Sequence, residues 1–157
     1  SDNVALDIWV RAGGQLLLVL DPLLDGHYPL PLGDPRRPVE AALIPPVLAR
    51  WGLELRFDEA QERSRRTFTL GDSAIPLAFS GELREIAGSD SDCSFWGEGV
   101  LAKCAIGKGH VTVLADAEPF KAGAATHDHA DHDNDRHSDV MESPAIQSLV
   151  GFAFESE

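Results

Sequence analysis

The sequence predicts an α/β domain with a mixed, largely parallel sheet flanked by helices and a late antiparallel hairpin. Three observations carry this expectation. Gln15-Leu-Leu-Leu-Val-Leu20 is an unalternated apolar run, the pattern of a parallel central strand buried on both faces. Helical stretches stand on both sides of it, and late β segments are punctuated by glycine. Across its 157 residues the chain is 43% hydrophobic, enough for one domain over residues 1–157 with a real core.

Taken in order, residues 3–12 read as a short helix, with Asp2 as N-cap, Gly13-Gly14 as stop, and Leu6, Trp9 and Val10 as its inward stripe. The apolar strand follows and ends in Asp21-Pro22. Residues 23–37 are a proline-rich loop, and Pro38 opens a second helix that runs to about Trp51-Gly52, split or kinked by Pro45-Pro46. Residues 53–57 alternate as a half-exposed strand. Residues 66–70 and 74–79 read as two more, joined through Gly71-Asp72. Ser89-Asp-Ser-Asp92 is a polar turn. Residues 95–106 and 110–115 carry the clearest late β signal, with Gly107-Lys-Gly109 as the tight turn between them. Residues 140–154 form a closing helix with Ser143 as cap before Pro144, and Met141, Ile146, Leu149, Val150 and Phe154 facing inward. Because a parallel sheet ordinarily starts with a strand, the helix-first opening implies that a first βα unit is lacking.

Charge narrows the function. Thirteen basic against 26 acidic residues give a formal net charge of −13, which argues against a nucleic-acid partner. No apolar run approaches the roughly 20 residues of a membrane span, so no transmembrane segment is expected in this chain. Between Asp116 and Glu142 eight acidic residues against two basic contribute −6 of that charge, and four of the six histidines lie in the same stretch.

Four segments carry a family resemblance: Trp9-Val-Arg-Ala-Gly-Gly-Gln-Leu-Leu-Leu-Val-Leu-Asp-Pro22, Pro31-Leu-Gly-Asp-Pro-Arg-Arg-Pro38, Arg50-Trp-Gly-Leu-Glu-Leu55 and Ile106-Gly-Lys-Gly-His-Val-Thr-Val-Leu-Ala-Asp116. They resemble uncharacterised bacterial proteins of the domain-of-unknown-function type, related to extracytoplasmic domains associated with gliding-type ABC transporters. The resemblance implies an amidotransferase-like, flavodoxin-like fold of the class I type. It also implies a periplasmic domain anchored to the membrane through a segment absent from this chain, with membrane transporter components as partners. Residues 120–139 depart from that pattern as a His/Asp-rich loop.

An amidotransferase-type site needs a cysteine on a sharp strand-to-helix turn and a histidine ordered by an acidic neighbour. Cys93, beside Asp92, and Cys104, within a strand, satisfy neither condition, and no Gly-x-Ser-x-Gly occurs. The expectation is a non-catalytic binding or assembly module. A turn centred between Glu98 and Gly99 places Cys93 opposite Cys104, where cross-strand Cβ atoms lie about 4.5–5.5 Å apart and a disulfide closes with modest adjustment. Two ordinary small core residues are the alternative.

Thr126-His-Asp-His-Ala-Asp-His-Asp-Asn-Asp-Arg-His137 holds the most distinctive chemistry. Its imidazoles and carboxylates suit zinc or nickel, with His127, His129, His132 and His137 as ligands, and this makes a metal-binding protein the competing reading. The bland alternative is a solvated loop. His27 and His110 stand alone. Asp21 and Asp116 end the two most apolar strands, where α/β sheets place ligands, so they are the candidate ligand-binding residues; turn or helix capping is the competing role. Arg36-Arg37 and Arg63, Arg65 and Arg66 are two small basic clusters that could receive an anion or pair locally.

Overall fold

A computed structural model describes residues 2–23, 31, 34–35, 45–61, 65–89, 91–121 and 143–155. Helix α1 (Asp2–Arg11) leads into strand β1 (Gln15–Val19), the short helix α2 (Val47–Arg50) and strand β2 (Leu53–Arg56). Strands β3 (Arg66–Leu70), β4 (Ser73–Leu77), β5 (Glu82–Glu85) and β6 (Asp92–Trp96) follow, then β7 (Leu101–Ile106), β8 (Gly109–Leu114) and helix α3 (Pro144–Phe154).

The central sheet is mixed, with strand order β1-β8-β7-β6. Only its β1–β8 pair is parallel among the described residues; β7–β8 and β6–β7 are antiparallel, so the sheet is not largely parallel. The central position falls to β8, whose Val111, Thr112, Val113 and Leu114 are fully buried. By contrast β1 stands at the end of this order and every one of its residues is half-buried. An apolar run reports what lies above and below a strand, not what lies beside it.

Each face of the sheet packs its own layer. Val111, Val113, Ala102 and Cys104 join Val10 of α1, Val47, Leu48 and Trp51 of α2 and its end, and Leu53 and Leu83 of the antiparallel pair β2–β5. Leu101 and Leu114, from alternate positions of the same strands, join Ala145 and Leu149 of α3 and Leu70, Ile75 and Leu77 of the β3–β4 hairpin. Gly109 lets α1 sit this close: a Cβ there would collide with the backbone oxygens of Val10 and Gly14.

Two inward stripes differ from expectation. In α1 the buried residues are Asp7 and Val10, while Trp9 is half exposed and lays its ring over Gly14. Asp7 is drawn inside because it has a partner there: Trp51 Nε1 donates to its carboxylate at 3.0 Å. In α3 Ala145, Ile146, Leu149 and Ala153 face inward, whereas Val150 and Phe154 are exposed; Met141 lies outside the described residues. Pro144 occupies the first turn, as expected, though Ser143 makes no side-chain cap. Of the second helix only Val47–Arg50 is described, beginning directly after Pro45-Pro46.

The β6–β7 register pairs Cys93 with Cys104, and the two form a disulfide with S–S 2.04 Å. Among the described residues no helix is long and apolar enough to cross a membrane.

Candidate functional site

Because β1 and β8 run parallel, their carboxyl ends emerge together, and this places Asp21 and Asp116 at the same end of the sheet. Asp116 is buried and its carboxylate is fully engaged. Oδ1 accepts the Glu118 N–H at 2.8 Å and Oδ2 the Ala78 N–H at 2.8 Å, so it orders the 3-10 turn Glu118–Phe120 and ties the end of β4 to the end of β8. Burial raises its pKa; the two backbone hydrogen bonds oppose this, the negative charge of Asp21 adds to it, and Lys121 lowers it, with a net upward shift. Lys121 Nζ lies 3.8 Å from Asp21 and 3.4 Å from buried Glu118, which Arg65 approaches at 3.6 Å.

Beside this cluster the link Ala78–Gly81 crosses from β4 to β5, with the Gly81 N–H donating to the Ala115 carbonyl at 2.8 Å. Ser80 on this link is buried; its hydroxyl bonds the Arg66 guanidinium, and its carbonyl accepts from Gln61 Nε2 at 3.1 Å. These groups line an open cavity of about 490 Å³ with Arg56, Glu82 and Glu98. Glu98 sits at φ 59°, the one non-glycine residue at positive φ among those described, between Gly97 and Gly99, which are also at positive φ. A left-handed side-chain-bearing residue costs about 1–2 kcal/mol, and such strain collects at binding sites. With Asp58 also in the lining, two guanidiniums and three carboxylates share this cavity with an amide and a hydroxyl, a set that suits a polar partner offering both donors and acceptors.

Sequence reasoning pointed to Asp21 and Asp116 through the strand ends. Ser80, Gln61 and Glu98 had no such mark, since each enters from a separate link or turn. Arg65 and Arg66 are placed at this end of the sheet; Arg36, Arg37 and Arg63 lie outside the described residues. His127, His129, His132 and His137, with the zinc or nickel reading attached to them, also lie outside. Among the described residues no group of three or more His, Cys, Asp or Glu side chains could hold a metal ion.

No family model matches this chain, and no curated protein does. Among solved structures it is similar to the exo-β-1,4-mannosidase Op5Man5 from Opitutaceae bacterium strain TAV5, at 13% identity and a TM-score of 0.49, over 97% of this chain. The chain spans 22% of the length of that enzyme.

Proposed function

We propose that this chain is a non-catalytic, extracytoplasmic binding or assembly module of amidotransferase-like fold. It engages a polar partner, a component of an ABC-type membrane transport system, at the cavity beside Asp21 and Asp116. The disulfide carries this reading. The chain has two cysteines, and both sulfurs are spent in the Cys93–Cys104 bond, so neither is a thiolate nucleophile for amide transfer. A disulfide between buried or half-buried strand residues also suits an oxidising compartment. The crevice supports the binding half of the reading: Arg66 and Gln61 are held by buried Ser80, so the donors at the cavity wall are oriented before any partner arrives.

Co-expression with the subunits of an ABC-type membrane transporter tests the proposal. The expected result is co-purification of those subunits with the wild-type chain and its loss in Arg66→Glu, with no release of ammonia from glutamine by either protein. Glutamine hydrolysis by the wild type, or subunit recovery unchanged in Arg66→Glu, would overturn it.

A further inference from the structure

The opposite end of the sheet carries a second, differently charged constellation. Arg11 closes α1 just before β1, and Arg50 closes α2. Both converge on Asp7, whose side chain is 4% exposed: Arg11 Nε donates to Oδ1 at 2.9 Å and Arg50 lies 3.3 Å from Oδ2, while Trp51 Nε1 takes the remaining inward direction at 3.0 Å. One buried negative charge therefore holds two positive ones. The two arginine side chains remain 48% and 53% exposed and line an open cavity of about 340 Å³ together with Ser89, Ser91 and Gly107.

The neighbouring groups leave the arginines as the donors of this cavity. Ser91 donates to Glu85 at 2.6 Å and is bonded to Ser89 at 2.7 Å, so the serine protons are spent and Glu85 is occupied. Lys108 follows Gly107 and donates its backbone N–H to the Arg11 carbonyl at 3.1 Å, adding a further cation to this end. Asp7 needs only one of its two guanidiniums to be neutralised. Arg11 Nη2 also donates to the Arg50 carbonyl at 3.5 Å, which links the two residues. A pair of planar forks fixed by a shared buried carboxylate, on half-exposed side chains that line an open cavity, is the arrangement that receives an oxyanion in two-pronged fashion. We propose that Arg11 and Arg50 form a second binding site, selective for a phosphate-class oxyanion, free or as the head of a small phosphomonoester. The site is separate from the cavity beside Asp116 and does not rest on the function proposed for it.

Titration of the full chain with inorganic phosphate, followed through the ¹⁵N signals of the arginine Nε–H groups, tests this, with phenyl phosphate as the esterified probe. Saturable shifts confined to Arg11 and Arg50 are expected. Arg50→Gln should weaken binding about tenfold or more, the worth of one charge-assisted hydrogen bond, while Arg84→Gln on β5 leaves it unchanged. Arg50→Lys keeps the charge beside Asp7 without the fork, and should weaken phosphate binding while retaining the wild-type melting temperature. Tighter binding of phenyl phosphate assigns the site to an ester, and equal binding assigns it to the free ion. Absence of a saturable shift, its reproduction by chloride at equal ionic strength, or undiminished affinity in both Arg50 variants would overturn the proposal.

Discussion

Asp7 shows how one side chain can reverse a reading of hydropathy. Helical spacing placed Leu6, Trp9 and Val10 inward, yet the carboxylate goes in and the indole of Trp9 stays half out. Periodicity counts apolar residues and has no way to register that Trp51, 44 positions away, supplies an N–H for that carboxylate. Burial by itself would raise the pKa of Asp7, but the hydrogen bonds from Trp51 and Arg11 and the charges of Arg11 and Arg50 outweigh it and hold the group below its ordinary value. The stability this ionised group contributes is thus fully present above the ordinary aspartate range and is lost as pH falls through the lowered folded value. Asp7→Asn is expected to cost about 2–3 kcal/mol at pH 7, because an amide cannot satisfy two guanidiniums and an indole. In urea denaturation the gap between variant and wild type should narrow as pH drops below about 4. A gap independent of pH would mean that packing rather than charge sets the cost. Asp116 works with the opposite sign: its folded pKa is raised, so its contribution declines as pH climbs from the ordinary aspartate value through the folded one.

The β6–β7 hairpin was the most legible element, and the reason is arithmetic. Once Gly97-Glu98-Gly99 is taken as the turn, a centre between 98 and 99 admits one register, and that register sets Cys93 against Cys104. The β3–β4 hairpin around Gly71-Asp72 was readable for the same reason. Strand β5, in contrast, is Glu-Leu-Arg-Glu, three charges and a single buried Leu83, and it becomes a strand only by pairing with β2. In register Glu54 stands opposite Arg84 and Arg56 opposite Glu82, an alternation of sign visible only after the register is known, while the close ion pairs run along each strand, Arg56 to Glu54 and Arg84 to Glu82. The candidate crevice divides along the same line. Asp21 and Asp116 end recognisable strands, while Ser80 and Gln61 reach the cavity through irregular links with no sequence signature. For the hairpin itself, the entropy of an 11-residue separation sets the expected effect of the bridge. Replacing both cysteines by alanine should lower stability by about 3 kcal/mol in chemical denaturation, and the oxidised wild type should show no titratable thiol. An unchanged midpoint would imply that the strand pairing holds the hairpin closed in the unfolded ensemble as well.

Taken whole, the chain carries a formal charge of −13, yet several of its described cations are drawn into local pairs: Arg56 with Glu54, Arg84 with Glu82, Lys121 between Asp21 and Glu118. The surface pairs Arg56–Glu54 and Arg84–Glu82 each contribute less than about 1 kcal/mol and so do little to hold the fold. The unmatched carboxylates act differently, since their repulsion is summed over the molecule and grows as the chain compacts. Salt therefore has two opposing effects. It weakens the exposed ion pairs, which lie within a few ångströms and are only partly screened, and it suppresses repulsion between carboxylates more than a Debye length of about 10 Å apart at 0.1 M. With acidic residues outnumbering basic ones 26 to 13, the second effect should win. Raising potassium chloride from about 10 mM to about 0.5 M at pH 7 is expected to add about 1 kcal/mol, or a rise of about 2–4 °C in Tm for a domain of this length. Chloride has little affinity for isolated guanidiniums, so Arg50→Gln should show the same rise, whereas phosphate at matched ionic strength should stabilise the wild type further and leave that variant behind. A Tm that falls with added chloride would show instead that the local pairs, not the excess of carboxylates, govern the electrostatic stability of this fold.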